Sequence, residues 1–260
     1  MKKYGEMDIN KYREMNDSRI TKGLRIIKRE GPWSFTYRSL LYLNRCFLRA
    51  LTPLVIALAP TTYFQYQGKK LPYFRHKKSL TWINERAIEI PIIMDYIHNS
   101  SAKTILEVGA VLPNYYPALQ KEVIDKFEIG PGISNEDVVT FTPHKKYDLI
   151  VSISTLEHVG FDDDIKDPLG IIKALNNLKL NCLQKGGKMV ITIPIGYNKD
   201  VDGHLFTNNL GFNEEYFFKK KNVFNTWKEI SKEEAKKIEY SGFHAKAIVV
   251  GIIKNNCIEH

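Results

Sequence analysis

Between residues 103 and 195, short apolar runs of strand length alternate with segments of helical period, and nothing else constrains the fold as strongly. The runs are 105–108, 123–125, 138–141, 147–153 and 188–194. Such alternation predicts βα units and a doubly wound, mostly parallel sheet. The run Tyr147-Asp148-Leu149-Ile150-Val151-Ser152-Ile153 is nearly all apolar, as suits a strand covered on both faces. In sheets of this kind ligands sit beyond the carboxyl ends of the strands. The polar residues at those ends are therefore the candidates for function.

The remaining elements follow in order. Residues 34–59 read as a helix whose broad apolar face holds Leu41, Cys46, Leu48, Leu51 and Val55, with a bend or new start near Pro53. Packing on the main domain, lying on a membrane surface and a dimer contact are the three readings of that helix. Residues 62–75 read as an aromatic hairpin turning at Gly68, and 82–98 as a helix that Pro91 should bend or split. A helix should start at Asp167-Pro168, bury Ile172, Leu175, Leu178, Cys182 and Leu183, and stop at Gly186-Gly187. Residues 232–240 read as a short helix with Gly242 behind it. The last strand is expected at 245–253, and 217–227 should add another. Residues 1–80 thus form a basic N-terminal extension, and 81–260 the main domain.

Composition sets limits on partners and compartment. A chain of 260 residues, 43% hydrophobic and 26% charged, builds a full core without staples. Cys46, Cys182 and Cys257 form no CxxC pair, which fits a reducing, cytoplasmic compartment. No signal-peptide pattern follows Met1-Lys2-Lys3. Asn44, Arg45, Arg49 and Pro53 make 40–59 a poor bilayer span. The net charge of +9, with nine Lys/Arg against five Asp/Glu in residues 1–30, favours anionic partners and leaves peripheral membrane contact open.

The strand ends carry a consistent set of groups. The first ends in Glu107 and Gly109, and the second in Asp125, where a carboxylate can accept both hydroxyl protons of a ribose. The third is preceded by Asn135-Glu136-Asp137-Val138, where the acid followed by an apolar residue suits an adenine, the acid taking the exocyclic amine and the valine packing on the ring. The fourth ends in Ser154-Thr155-Leu156-Glu157-His158-Val159.

With Ile105-Leu106-Glu107-Val108-Gly109, Asp125, Asp137-Val138, Leu156-Glu157-His158-Val159 and Leu183-Gln184-Lys185-Gly186-Gly187 in that order, residues 103–196 resemble class I S-adenosylmethionine-dependent methyltransferases. The resemblance implies a Rossmann-like α/β fold, a seven-stranded sheet with a reversed C-terminal strand, and S-adenosyl-L-methionine as cofactor. It places Glu107 and Gly109 beside the methionine, Asp125 on the ribose, Asp137 and Val138 on the adenine, and Ser154 near the cofactor. Glu157 and His158 would face the acceptor, with Tyr197 and Asn198 shaping its pocket. Arg86 lies where such enzymes have a covering helix, and is a candidate for the cofactor's carboxylate or a surface partner of Glu85. The sequence departs from the family after Gly109: Ala110-Val111-Leu112-Pro113 replaces the further glycines, and Asn114 is left as the polar contact there.

A sulfonium methyl is already activated, so the protein's part is alignment and, for a hydroxyl acceptor, removal of a proton. His158 is the first candidate base and His204 the second. Glu157 with Asp162, Asp163 and Asp164 has the residue types for a divalent cation, but reads more simply as a solvated acidic loop, and no metal is expected. Base N-methylation of nucleic acid is disfavoured, because Ser154-Thr155-Leu156-Glu157 stands in place of an Asn/Asp-Pro-Pro-aromatic motif. The expected activity is O-methylation of a small-molecule or glycan/lipid-linked acceptor. The alternative is a non-catalytic scaffold on a degenerate fold of this type, associated with a membrane or anionic partner. RNA binding through Lys219-Lys220-Lys221 is a third reading. The sequence leaves the oligomeric state undetermined.

Overall fold

The computed structural model describes residues 32–240 and 244–255. The expectations for 1–30, Gly242 and Cys257 fall outside them. The chain divides into two compact units, Met1–Ala57 and Leu58–His260.

The first unit is described through helix α1 (Pro32–Leu58), which runs unbroken past Pro53. Leu41, Leu48, Leu51 and Val55 are partly buried along it, whereas Cys46, expected on the same face, is exposed.

The second unit begins with the hairpin β1 (Tyr63–Tyr66) and β2 (Lys69–Pro72), paired Tyr66 to Lys69 across the turn. Phe64, Tyr66 and Leu71 pack into the same core as helix α2 (Arg86–Asn99) and the central strands. The hairpin therefore belongs with the sheet, and the expected boundary at residue 80 moves to 57/58. Helix α2 contains Pro91 without splitting. Proline cannot donate to the carbonyl four residues back, here Ala87. That carbonyl instead accepts the Phe74 amide at 2.9 Å, so the hairpin's exit strand satisfies the bond that Pro91 removes.

Among the described residues the main sheet has eight strands: β3 (Ile105–Val108), β4 (Glu122–Ile124), β5 (Ile133–Ser134), β6 (Tyr147–Ile153), β7 (Leu183–Pro194), β8 (Glu214–Lys220), β9 (Trp227–Ile230) and β10 (Ala247–Lys254). Their order across the sheet is β5-β4-β3-β6-β7-β10-β8-β9. The first five are parallel, and β10 runs antiparallel to both β7 and β8. This is the Rossmann-like sheet with a reversed C-terminal strand; the eighth strand is β9, which pairs with β8 at the edge. Helices α3 (Gly170–Asn177), α4 (Lys199–Phe206) and α5 (Lys232–Ala235) complete the unit.

Two cores cover the sheet. Leu149, Val151 and Ile153 of β6 belong to the core with α2 and the hairpin. Ile150, between them, belongs to the core with α3 and α4. This is the period-2 alternation of a strand buried on both sides.

Three local expectations are corrected. Residues 138–141 form a turn rather than a strand. Asp137 Oδ1 accepts the Val139 amide at 2.9 Å, and the Asp137 carbonyl accepts those of Thr140 and Phe141 at 3.0 and 2.8 Å. This local bonding competes with a ladder, and the edge strand is β5 instead. The helix after Asp167 starts at Gly170 and buries Ile171 rather than Ile172. Its continuation ends at Cys182 with no glycine. Gly186-Gly187 lies inside β7: Tyr147 pairs with Leu183 but Leu149 with Lys188, so residues 184–187 bulge out. Gly186, at φ +76, supplies the left-handed residue that the bulge requires.

Candidate active site

From β3 the chain winds outward to β4 and β5, then returns to β6 on the other side of β3. The crevice between β3 and β6 is thus the topological switch point, the usual ligand position in such sheets. The loops after β3, β4, β5 and β6 converge there on one cleft of about 320 Å³. Gly109, Asp125, Asp137 with Val138, and Thr155 with His158 line it, one group from each loop. Val108, Ile124 and Val138 are buried and supply apolar lining, with Val159 beside them.

Backbone amides hold Asp125, and a lysine holds Asp137. Asp125 Oδ2 accepts the Ala110 amide at 3.1 Å, while its Oδ1 accepts those of Phe127 and Glu128, each at 2.8 Å. It therefore ties the β3 loop to the β4 loop. Asp137 Oδ2 lies 2.9 Å from Lys126 Nζ, and Lys126 also donates to Asp163 Oδ1 at 2.6 Å. Lys126, not singled out from sequence, thus joins the β4, β5 and β6 loops through Asp137 and Asp163, the latter read from sequence as part of a solvated acidic loop.

Glu107 does not line the cleft. It is fully buried, and its Oε1 accepts the Val111 and Leu112 amides at 2.9 and 2.7 Å. These bonds shape the glycine-poor loop, which closes as a short 3-10 turn at Leu112–Asn114. Burial raises the Glu107 carboxyl to about 7, against its amide donors and Lys121 Nζ 3.5 Å from Oε2. Asn114 serves the same loop, donating to the Ala110 carbonyl at 3.0 Å and accepting from Lys78.

Gly109 has φ +91, and a Cβ there would lie 2.1 Å from Thr155 Oγ1. Its missing side chain is used by Thr155, whose hydroxyl donates to the Ile153 carbonyl at 3.1 Å.

His158 lines the cleft, partly exposed, with Nδ1 2.5 Å from Asp162 Oδ2. The Tyr197 ring packs edge-on at 4.8 Å, and its hydroxyl donates to the same Asp162 oxygen at 3.2 Å. Burial raises the Tyr197 hydroxyl to about 12, so it remains a donor at neutral pH.

Beyond Thr155 the polar groups are closed in. Arg86 is bonded to Glu89 of the same helix, which is fully buried. Glu89 Oε1 also accepts Ser154 Oγ at 2.5 Å and Thr192 Oγ1 at 2.8 Å. The bonded partner of Arg86 is therefore Glu89, in the interior, rather than Glu85, which is itself partly buried and accepts the Ala245 amide at 3.2 Å; the i,i+3 spacing was the available signal. Glu157 is buried, with Oε2 unpartnered among the described residues and Oε1 3.7 Å from His158 Nε2. Desolvation raises its carboxyl well above the usual range. Asn198 caps α4, accepting the Asp200 amide at 3.0 Å, and donates to the Glu157 carbonyl at 2.8 Å. His204 sits on α4 away from the cleft lining, with Nε2 3.2 Å from the Pro168 carbonyl oxygen. Among the described residues, no three His, Cys, Asp or Glu side chains converge as metal ligands.

No protein-family model matches the sequence, and no curated protein does. Solved structures do. The N-methyltransferase NodS from Bradyrhizobium japonicum WM9, in complex with S-adenosyl-l-homocysteine, is similar at 15% identity over 66% of this chain and 87% of that one, with a TM-score of 0.43. An rRNA methylase from Escherichia coli matches at 13% identity over 66% of this chain and 65% of that one, TM-score 0.38. A S-adenosylmethionine-dependent methyltransferase from Clostridium acetobutylicum ATCC 824 matches at 12% over 64% and 89%, TM-score 0.34.

Proposed function

We propose that this chain is an S-adenosyl-L-methionine-dependent methyltransferase that methylates a hydroxyl of a small-molecule or glycan/lipid-linked acceptor. The observation that supports it is the placement of Asp125 and Asp137, from separate strand ends, on one apolar-floored cleft at the switch point. These groups fit a nucleoside. Asp125 keeps lone pairs beyond its amide bonds to accept ribose hydroxyls. Asp137 accepts an adenine amine, and Val138 with Ile124 packs on the ring.

S-adenosyl-L-methionine, when bound, supplies an activated methyl group. The chain's own part is orientation and proton transfer. With Nδ1 donating to Asp162, His158 carries its lone pair on Nε2 and accepts the proton of an acceptor hydroxyl. Tyr197 fixes the ring and Asp162 together, so both are positioning residues.

Isothermal titration with S-adenosylhomocysteine tests the cofactor half of this reading. Transfer of labelled methyl to extracted lipid, glycan or RNA tests the acceptor half. Label in lipid or glycan supports the proposal, and label in RNA alone overturns the acceptor class. A second reading, a nucleoside-binding protein without methyl transfer, is favoured by two observations: Thr155 fills the space over Gly109, and Arg86 is already matched by Glu89. Adenosine binding without any S-adenosylhomocysteine binding would select it.

A further inference from the structure

We propose that α1 is an in-plane amphipathic helix that binds the surface of an anionic lipid bilayer. Leu40, Leu43, Phe47 and Leu54 recur at helical spacing along one face, and each is 56–64% exposed. A stripe of this kind on a soluble helix is normally covered. Arg45 and Arg49, both exposed, each lie two residues from Phe47. At about 100° per residue this puts them on the opposite side of the helix. From residue 31 through residue 84 the sequence contains no Asp or Glu, so α1 carries its arginines without an acid of its own. An apolar face opposed by arginines, on a helix that carries no acid, is complementary to acyl chains beneath anionic headgroups. Trp33, 85% exposed, and Tyr42 add rings suited to the headgroup level.

Ser39–Leu58 is also long and apolar enough to cross a membrane, with Thr52 its one fully buried residue. A crossing would carry Arg45 and Arg49 near the bilayer centre, where arginine is costly. Lying in the plane keeps both at the headgroups while Phe47 and its neighbours enter the acyl region.

Flotation of the full chain tests this, using vesicles of phosphatidylcholine alone and of equal parts phosphatidylcholine and phosphatidylglycerol. Binding to the mixed vesicles is expected to be stronger and to weaken at high salt. Leu43→Glu with Phe47→Glu should lower it about tenfold. Arg45→Glu with Arg49→Glu should remove the preference for phosphatidylglycerol. Unchanged circular dichroism shows that the variants fold. No flotation with either vesicle overturns the proposal. So does retention in the bilayer after alkaline carbonate extraction, which marks a spanning helix. A Phe47→Glu variant that floats normally but loses an oligomer by light scattering overturns it as well, since a second copy then covers the face.

Discussion

Carboxylates serve opposite ends on the two sides of Thr155. On the cleft side, Asp125 and Asp137 are partly exposed, oriented by backbone amides and by Lys126, and retain capacity for a ligand. On the α2 side, Glu89 is fully buried, with both oxygens consumed by Arg86, Ser154 and Thr192. Residue type therefore says little about role here. What separates ligand-ready acids from structural ones is whether the surrounding fold has already used their lone pairs.

Removing Glu89 should break the buried side most severely. Glu89→Ala removes the carboxylate bonded to the Arg86 guanidinium and leaves two hydroxyls without that acceptor, a loss of about 3–5 kcal/mol in urea unfolding. A loss as small as that of a surface pair would erase the distinction.

Glu107 sharpens the comparison through pH. Its ordinary value is 4.5 and its folded value about 7, so the folded chain holds this proton more tightly than the unfolded chain. Its contribution to stability is greatest below the unfolded value and is lost as pH rises through that window. Glu107→Gln should remove a difference on the order of 3 kcal/mol between the ends of the window, read as the change in unfolding free energy relative to the unaltered chain. Parallel pH profiles for the two would show that Glu107 is not desolvated.

Gly109→Ala places a Cβ against the Thr155 side chain at positive φ. It should cost about 2–3 kcal/mol. Adding Thr155→Ala should recover part of this by relieving the contact while leaving the backbone strain. A double variant no more stable than the single one would mean that Thr155 does not own that space.

On the cleft side, Asp125→Asn should weaken S-adenosylhomocysteine binding about tenfold by titration calorimetry, roughly 1.4 kcal/mol. The smaller expected cost to stability is what distinguishes it from Glu89→Ala, because an asparagine carbonyl can keep the Phe127 and Glu128 amide bonds.

Much of the sheet was legible in the chain because buried parallel strands are continuous apolar runs, as at 105–108 and 147–153. Of the site, Gly109, Asp125 and His158 could be named from their places after strands, and Asp137 and Val138 from an acid–apolar pair ahead of the expected third strand; all five line the cleft. Arg86, Asn114, Ser154, Asn198 and His204 could be named but not placed. Their hydrogen-bond partners come from residues as distant as Glu89 for Ser154, or from local choices among several carbonyls, as for Asn114. Lys126 had no pattern at all, since its role exists only where three loops meet.

The sequence by itself determined the periodicities: which runs become strands, that α2 has a largely buried surface, and that acids fall at the ends of strands. These depend on residues a few positions apart. Only the tertiary structure decided what each polar group does. It set the Phe74 amide on the carbonyl that Pro91 cannot reach, packed Thr155 over Gly109, and used up Glu89 while leaving Asp125 with capacity to spare. Hydrogen bonding and desolvation depend on which groups meet in space, and distance along the chain does not encode that.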